Sequence, residues 1–218
     1  SGVAGPDTTP PSASVTINSD AAATSTASAT LTLRCSDVSG VKDVRYSNDG
    51  ITYTAWEAFS STIQNWLLAS VDGLKTVWYE CRDNSPSQNA VTVSDTIILD
   101  SVVPATSIVS VEGDTTALPY TDTSGDGDTQ IVISGESGML CRWYDIDTGY
   151  TTSSGTACTT SGTQATCTIS TVAAGPYTKS VSCSDAAGNG QASTNNLDIT
   201  WSVTTSIQIP PAQIHLST

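Results

Sequence analysis

Apolar and polar residues alternate with a period of two along most of this chain. In ATLTLRC, Ala29, Leu31, Leu33 and Cys35 share one face. In TVWYECRD, Val77, Tyr79 and Cys81 share one face while Trp78, Glu80 and Arg82 share the other. Such alternation is the signature of a strand with one buried and one wet side. Helical periodicity is scarce. Turn signals punctuate the strands, including SNDG at 47–50, VDG at 71–73 and DNSPSQN at 83–89. Short strands at regular spacing predict an all-β chain of sandwich type.

The pattern occurs twice. VWYECRDNSPSQN in the first half is answered by SVSCSDAAGNGQA in the second, matching Cys81 to Cys183 and Asp83 to Asp185. SDVSGVKDVRYS is answered by SGESGMLCRWYD, and VSDTIILD by NLDITWSV. The period is about 100 residues, the size of one sandwich domain. DSVVPATS at 100–107 reads as the linker, because proline interrupts strand pairing. The expected divisions are a first domain with its N-terminal tail over 1–103, a second over 104–204, and an extra C-terminal strand over 205–218.

Composition narrows the class. The net charge is −14 with seven Lys plus Arg, which argues against nucleic acid and against an anionic membrane surface. No apolar run is long enough to span a bilayer, so membrane insertion is not expected. The chain opens on Ser1, which leads to the expectation of a processed chain or a fragment. No Asn-x-Ser/Thr sequon occurs, while Ser and Thr are abundant.

DTTPP, SGVKDVRYSNDGITYTAW and SDAAGN resemble the tandem immunoglobulin-like or fibronectin-like modules of bacterial and archaeal cell-surface proteins. CRWYD with SVSCSDAAGN is similar to a disulfide-bearing variant of that module. The resemblance runs from Asp7 to Val203. It implies two tandem immunoglobulin-like β-sandwiches at the cell surface, in proteins that serve adhesion, spacing or filament assembly alike.

Six cysteines and no zinc-ligand spacing point to disulfides and an oxidising, extracellular compartment. Strand phase pairs Cys35 with Cys81, and Cys141 with Cys183. Cys158 and Cys167 are left to close a local hairpin. Fifteen connectivities are formally open, and so is the reading of reduced, buried thiols.

Candidate chemistry is sparse. The single histidine, His215, lies in the terminal segment away from every cysteine, so no enzyme is expected. In DTSGDGDT at 122–129, Asp122, Ser124, Asp126 and Asp128 alternate, with Gly127 at the sixth place, as in the start of a calcium loop. Ile133 stands where the twelfth-position Glu is required, which removes the helix-loop-helix version. A loop-type calcium site on Asp122, Asp126 and Asp128 is one reading and a solvated polar loop the other. No further cofactor is implied. Of the five tryptophans, Trp78 alone is out of phase with the core face, which marks it for sugar stacking.

The tail TTSIQIPPAQIHLST places Ile207, Ile209, Ile214 and Leu216 in alternation around two prolines. It follows a complete second domain, and alternate side-chain anchors are what strand addition requires. The main expectation is therefore a subunit of an extracellular filament or pilus, in which this segment docks into another copy head to tail. The N-terminal SGVAGPDTTPPSAS is the competing donor. The alternative is a tandem adhesion or carbohydrate-binding module of a larger surface protein, with a glycan ligand.

Overall fold

The computed structural model describes residues 6–116, 118–170 and 173–204. The described chain is all-β and divides into two compact units, Ser1–Val102 and Val103–Thr218. The tail residues Ile207, Ile209, Ile214 and Leu216, and His215 with them, lie outside the described residues.

The first unit contains β1 (Ser12–Ile17), β2 (Ala23–Thr24), β3 (Ser28–Ser36), β4 (Val41–Ser47), β5 (Thr62–Leu67), β6 (Gly73–Asp83) and β7 (Ala90–Leu99). Three strands form one sheet in the order β1-β3-β5, and four form the other in the order β2-β7-β6-β4. The first edge is split: β1 pairs antiparallel with β3, then the chain crosses over so that β2 pairs parallel with β7. This is the order of an immunoglobulin-like sandwich.

Alternation along each strand builds its core. Ile17, Leu31 and Leu33 from one sheet meet Val44, Tyr46, Val77, Tyr79 and Ile97 from the other, all buried. Truncating Leu31 to alanine removes a fully buried side chain, a change that costs about 2–5 kcal/mol in cores of this kind. The Tyr46 and Tyr79 rings stack at 5.6 Å, and burial pushes both phenols up from their ordinary pKa. Cys35 on β3 is bonded to Cys81 on β6, so this disulfide ties one sheet to the other.

The second unit contains β8 (Ser107–Val111), β9 (Tyr120–Asp122), β10 (Asp128–Ser134), β11 (Leu140–Tyr144), β12 (Thr156–Ala157), β13 (Thr159–Ser161), β14 (Gln164–Ser170), β15 (Gly175–Ser184) and β16 (Leu197–Val203). Its sheets run β13-β14-β10-β8 and β12-β11-β15-β16-β9. The split edge recurs, with β8 antiparallel to β10 and β9 parallel to β16. Ile131, Ile133, Ala165 and Ile169 pack against Val181, Ile199 and the fully buried Trp201. Gln191, 3% exposed, replaces a missing strand partner beside β15. It receives the Cys183 N–H on Oε1 at 2.8 Å and donates from Nε2 to the Pro104 carbonyl at 3.0 Å. Two disulfides, Cys141–Cys183 and Cys158–Cys167, lie in this unit.

Candidate functional site

The outer face of β4 and β6 carries the most concentrated polar and aromatic chemistry of the first unit. With Val77, Tyr79 and Cys81 turned to the core, the pleat puts Trp78, Glu80 and Arg82 outside. Register sets Asp43 opposite Arg82 and Arg45 opposite Glu80. Both pairs are ion pairs. Arg45 Nε lies 2.6 Å from Glu80 Oε2, and Arg82 grips Asp43 through Nε and a second guanidinium nitrogen. Hydrogen bonding to Arg82 holds the Asp43 carboxyl below the usual carboxylate range.

Over these charges lies Trp56. The following residue, Glu57, exchanges two backbone hydrogen bonds of 2.9 Å with Val44, which fixes the loop against β4. The Trp56 ring centroid is 4.4 Å from the Arg45 guanidinium carbon and 4.0 Å from that of Arg82. Tyr53 lies 4.6 Å from Arg45 in the same way. Two cations, two carboxylates and two rings thus satisfy one another. The block braces the sheet.

Trp78 is different. It sits opposite Ser47 on β4 and Ser94 on β7, among short side chains. Its support is the turn at 47–50. Ser47 Oγ accepts from the Asp49 and Gly50 N–H groups at 3.1 and 2.9 Å. Asp49 Oδ1 accepts from the Thr52 and Ile51 N–H groups at 2.7 and 2.8 Å, and these bonds hold its carboxyl far below the usual range. Gly50, at φ +71°, then lies directly against the indole: a Cβ there would stand 3.1 Å from Trp78 Cε2. Only glycine combines that backbone angle with that approach.

Beyond the turn, Trp78 lines a groove of about 280 Å³ with Asn48, Ala69, Leu74, Lys75 and Thr76. Asn48 also borders a second cleft, of about 290 Å³, lined by Tyr53, Thr54 and Trp66 among others. The Asn48 side chain is fixed between them. It accepts from Trp66 Nε1 and donates to the Leu67 carbonyl, each at 2.9 Å. Trp78 and Leu74, with the Asn48 amide, the Lys75 ammonium and the Thr76 hydroxyl, give the groove a mixed apolar and polar lining.

The other tryptophans are taken up by the fold. Trp201 stacks on Tyr177 at 5.5 Å and donates to Thr129 Oγ1 at 3.2 Å. Trp143 borders an open cavity of about 580 Å³ with Asp145, Asp147 and Ser154. Its ring, however, packs on the core and carries Lys179 Nζ 5.1 Å from its centroid, while Lys179 is paired with Asp145. Trp66 is tilted against Tyr46 at 5.6 Å.

Asp122, Asp126 and Asp128 do not come together as a close set of three, although Asp122 and Asp126 meet at the Ser124 hydroxyl. Asp122 is buried and accepts from Thr129 Oγ1 at 2.5 Å and Ser124 Oγ at 2.8 Å. Asp126 accepts from the Asp128 N–H at 3.2 Å, and its Oδ1 stands 2.9 Å from the same Ser124 hydroxyl, whose one proton it shares with Asp122. Among the described residues, the one group of three with mutually close ligand atoms is Asp7, Asp37 and Asp83, within 4.8 Å of one another. Sequence reading missed it because the three are far apart in the chain; the signal was an aspartate opening or closing a turn motif in DTTPP, SDVSG and DNSPSQN. These oxygens already accept hydrogen bonds in their own turns, Asp7 from Thr9 and Asp37 from Ser39. Asp83 accepts from Ser85 and Asn89.

No protein-family model matches the chain, and no curated protein matches it. Among solved structures, it is similar to the fibronectin(III)-like modules of CbhA from Clostridium thermocellum, at 12% identity over 88% of this chain and 95% of that one, with a TM-score of 0.49. It is similar to the D00–D0 domain of intimin at 15% identity over 86% and 96% of the two chains, TM-score 0.36. It is also similar to a tetra-tandem repeat in the extending region of a large adhesion protein, at 17% identity over 90% and 50%, TM-score 0.34.

Proposed function

We propose that the chain is a pair of extracellular, disulfide-bonded modules of a cell-surface protein, and that the first unit binds a glycan at the Trp78 groove. The role is adhesion or carbohydrate binding, without catalysis. The observation that carries the reading is the placement of Trp78. It lies outside the core phase of β6, fixed against Gly50 and beside Leu74, Lys75 and Asn48. Three disulfides suit an oxidising exterior. Glycan-array binding by the intact chain, lost in Trp78→Ala, is the test. Binding that survives the substitution removes the site.

A second reading rests on the completeness of the second sandwich. By Val203, β16 is paired with β15 on one side and with β9 on the other. Residues 205–218 therefore follow a finished sheet, and their sequence supplies Ile207, Ile209, Ile214 and Leu216 as alternate anchors. Added to a sheet edge of another copy, they would make a head-to-tail homopolymer of pilus type.

A further inference from the structure

The four cysteines of the second unit occupy one continuous row across its strands. Register on β11 and β15 sets Cys141 directly opposite Cys183. On the other side of β11, Arg142 faces Ala157, so the next position sets Cys141 opposite Cys158. Cys158 donates its N–H to the Cys141 carbonyl at 2.9 Å. Cys158 is also where the chain passes from β12 in one sheet to β13 in the other, and there Thr159 faces Thr166. One step back along that ladder, Cys158 stands opposite Cys167. The row therefore reads Cys183, Cys141, Cys158, Cys167.

Opposed residues of antiparallel strands share a face and lie about 5 Å apart between Cβ atoms. Here that face is the core: Cys141, Cys167 and Cys183 are buried, and Cys158 packs on the same cluster from its rim. The two disulfides occupy the outer links of the row, Cys183–Cys141 and Cys158–Cys167. The middle link, Cys141 to Cys158, holds a backbone hydrogen bond and no covalent bond. Its hydrogen-bonding edges agree: Cys141 turns its carbonyl to Cys158, and Cys183 turns its N–H and carbonyl away, to Gln191. Of the four, Cys158 alone is partly exposed.

We infer that this row is a thiol–disulfide exchange relay, entered at Cys158, that moves the Cys141 cross-link from Cys183 to Cys158 when an external dithiol opens the Cys158–Cys167 bond. The dithiol attacks Cys158 Sγ, and the bond to Cys167 breaks, leaving Cys167 to take up a proton. The second sulfur of the dithiol then displaces Cys158 as a thiolate, and the reductant departs as its own disulfide. Two electrons have entered the protein. The Cys158 thiolate next attacks Cys141 Sγ; the Cys141–Cys158 bond forms, the Cys141–Cys183 bond breaks, and Cys183 takes up a proton. Exchange requires nucleophile, central sulfur and leaving sulfur in line, and the order of the row places Cys141 between the other two. The first unit supplies an internal contrast, since Cys35–Cys81 has no third cysteine beside it.

Limited reduction tests the relay. The native chain is exposed briefly to dithiothreitol, free thiols are blocked in acid with a maleimide, and unreduced tryptic peptides are mapped. Cleavage after Arg82, Arg142 and Lys179 separates the outcomes. The starting bond links peptide 83–142 to 180–218, whereas the exchanged bond links 83–142 to 143–179. The relay predicts loss of the first species matched by gain of the second, with Cys167 and Cys183 blocked. Cys167→Ser opens Cys158 without any reductant and is expected to populate the exchanged link on its own, whereas Cys158→Ser abolishes it under every condition. The relay is overturned if wild type blocks Cys158 and Cys167 while Cys141–Cys183 stays whole. Should Cys167→Ser fail to fold, the wild-type mapping decides alone.

Discussion

Asn89 donates its side-chain amide to the Asp83 carboxylate at 2.8 Å, and Asn189 donates to Asp185 at 2.7 Å. The two units thus close the turn after β6 and after β15 with the same device, a buried aspartate holding an asparagine from further along the turn. Burial pushes the Asp83 carboxyl up, but the bonds from Asn89 and Ser85 outweigh it and leave the group below its ordinary pKa. A depressed carboxyl contributes stability that is fully present above the unfolded value, near 3.9, and is lost as pH falls through the folded one. Asn89→Ala removes a donor. Its destabilisation is therefore expected to be larger at about pH 7 than at about pH 3. Urea midpoints at the two pH values check this, and equal losses would count against it.

Trp56 covers two guanidiniums at once. Each such contact at a partly exposed site is worth about 0.5–1 kcal/mol. Trp56→Ala is expected to destabilise the first unit by about 1–2 kcal/mol, with glycan binding at Trp78 unchanged. Denaturant titration of the variant measures the first, and the array the second.

Asp122 and Asp126 separate structure from metal. The Asp122 carboxylate ends a buried chain from Trp201 through Thr129, so Asp122→Ala leaves a buried hydroxyl without its acceptor. A loss of about 1–3 kcal/mol is expected in the presence of a chelator. Asp126 is exposed and lacks that role. If calcium binds this loop, Asp126→Ala abolishes the heat of calcium titration while leaving the melting temperature in chelator unchanged.

Deleting residues 205–218 addresses assembly. The strand-addition reading expects the full chain to form fibres under negative stain and the truncated chain to stay as single particles. Fibres from the truncated chain would assign the donor elsewhere, and single particles from both would leave a plain pair of modules.

What the sequence discloses and what it hides follow from the distance over which each feature acts. The alternation of β6 is local, so the inward phase of Tyr79 and Cys81 and the outward phase of Trp78 can be read directly. Strand phase likewise picks Cys141 with Cys183, because each needs only its own strand. The strands Ala23–Thr24 and Thr156–Ala157 carry no legible period at two residues each; their pairing partners define them. The stack of Trp56 on Arg45 and Arg82 depends on a loop returning to β4, and the meeting of Asp7, Asp37 and Asp83 on three separate turns. The position of Cys158 at the crossing between sheets appears only once both registers are known.

The proposed glycan binding at the Trp78 groove is tested most directly by titrating the intact chain with an array-selected oligosaccharide while following tryptophan fluorescence, in wild type, Trp78→Ala and Trp56→Ala. A glycan held in the Trp78 groove is expected to give a saturable change in wild type and in Trp56→Ala and none in Trp78→Ala. Saturable binding of the same affinity in Trp78→Ala, measured by calorimetry on the folded variant, would contradict the proposal.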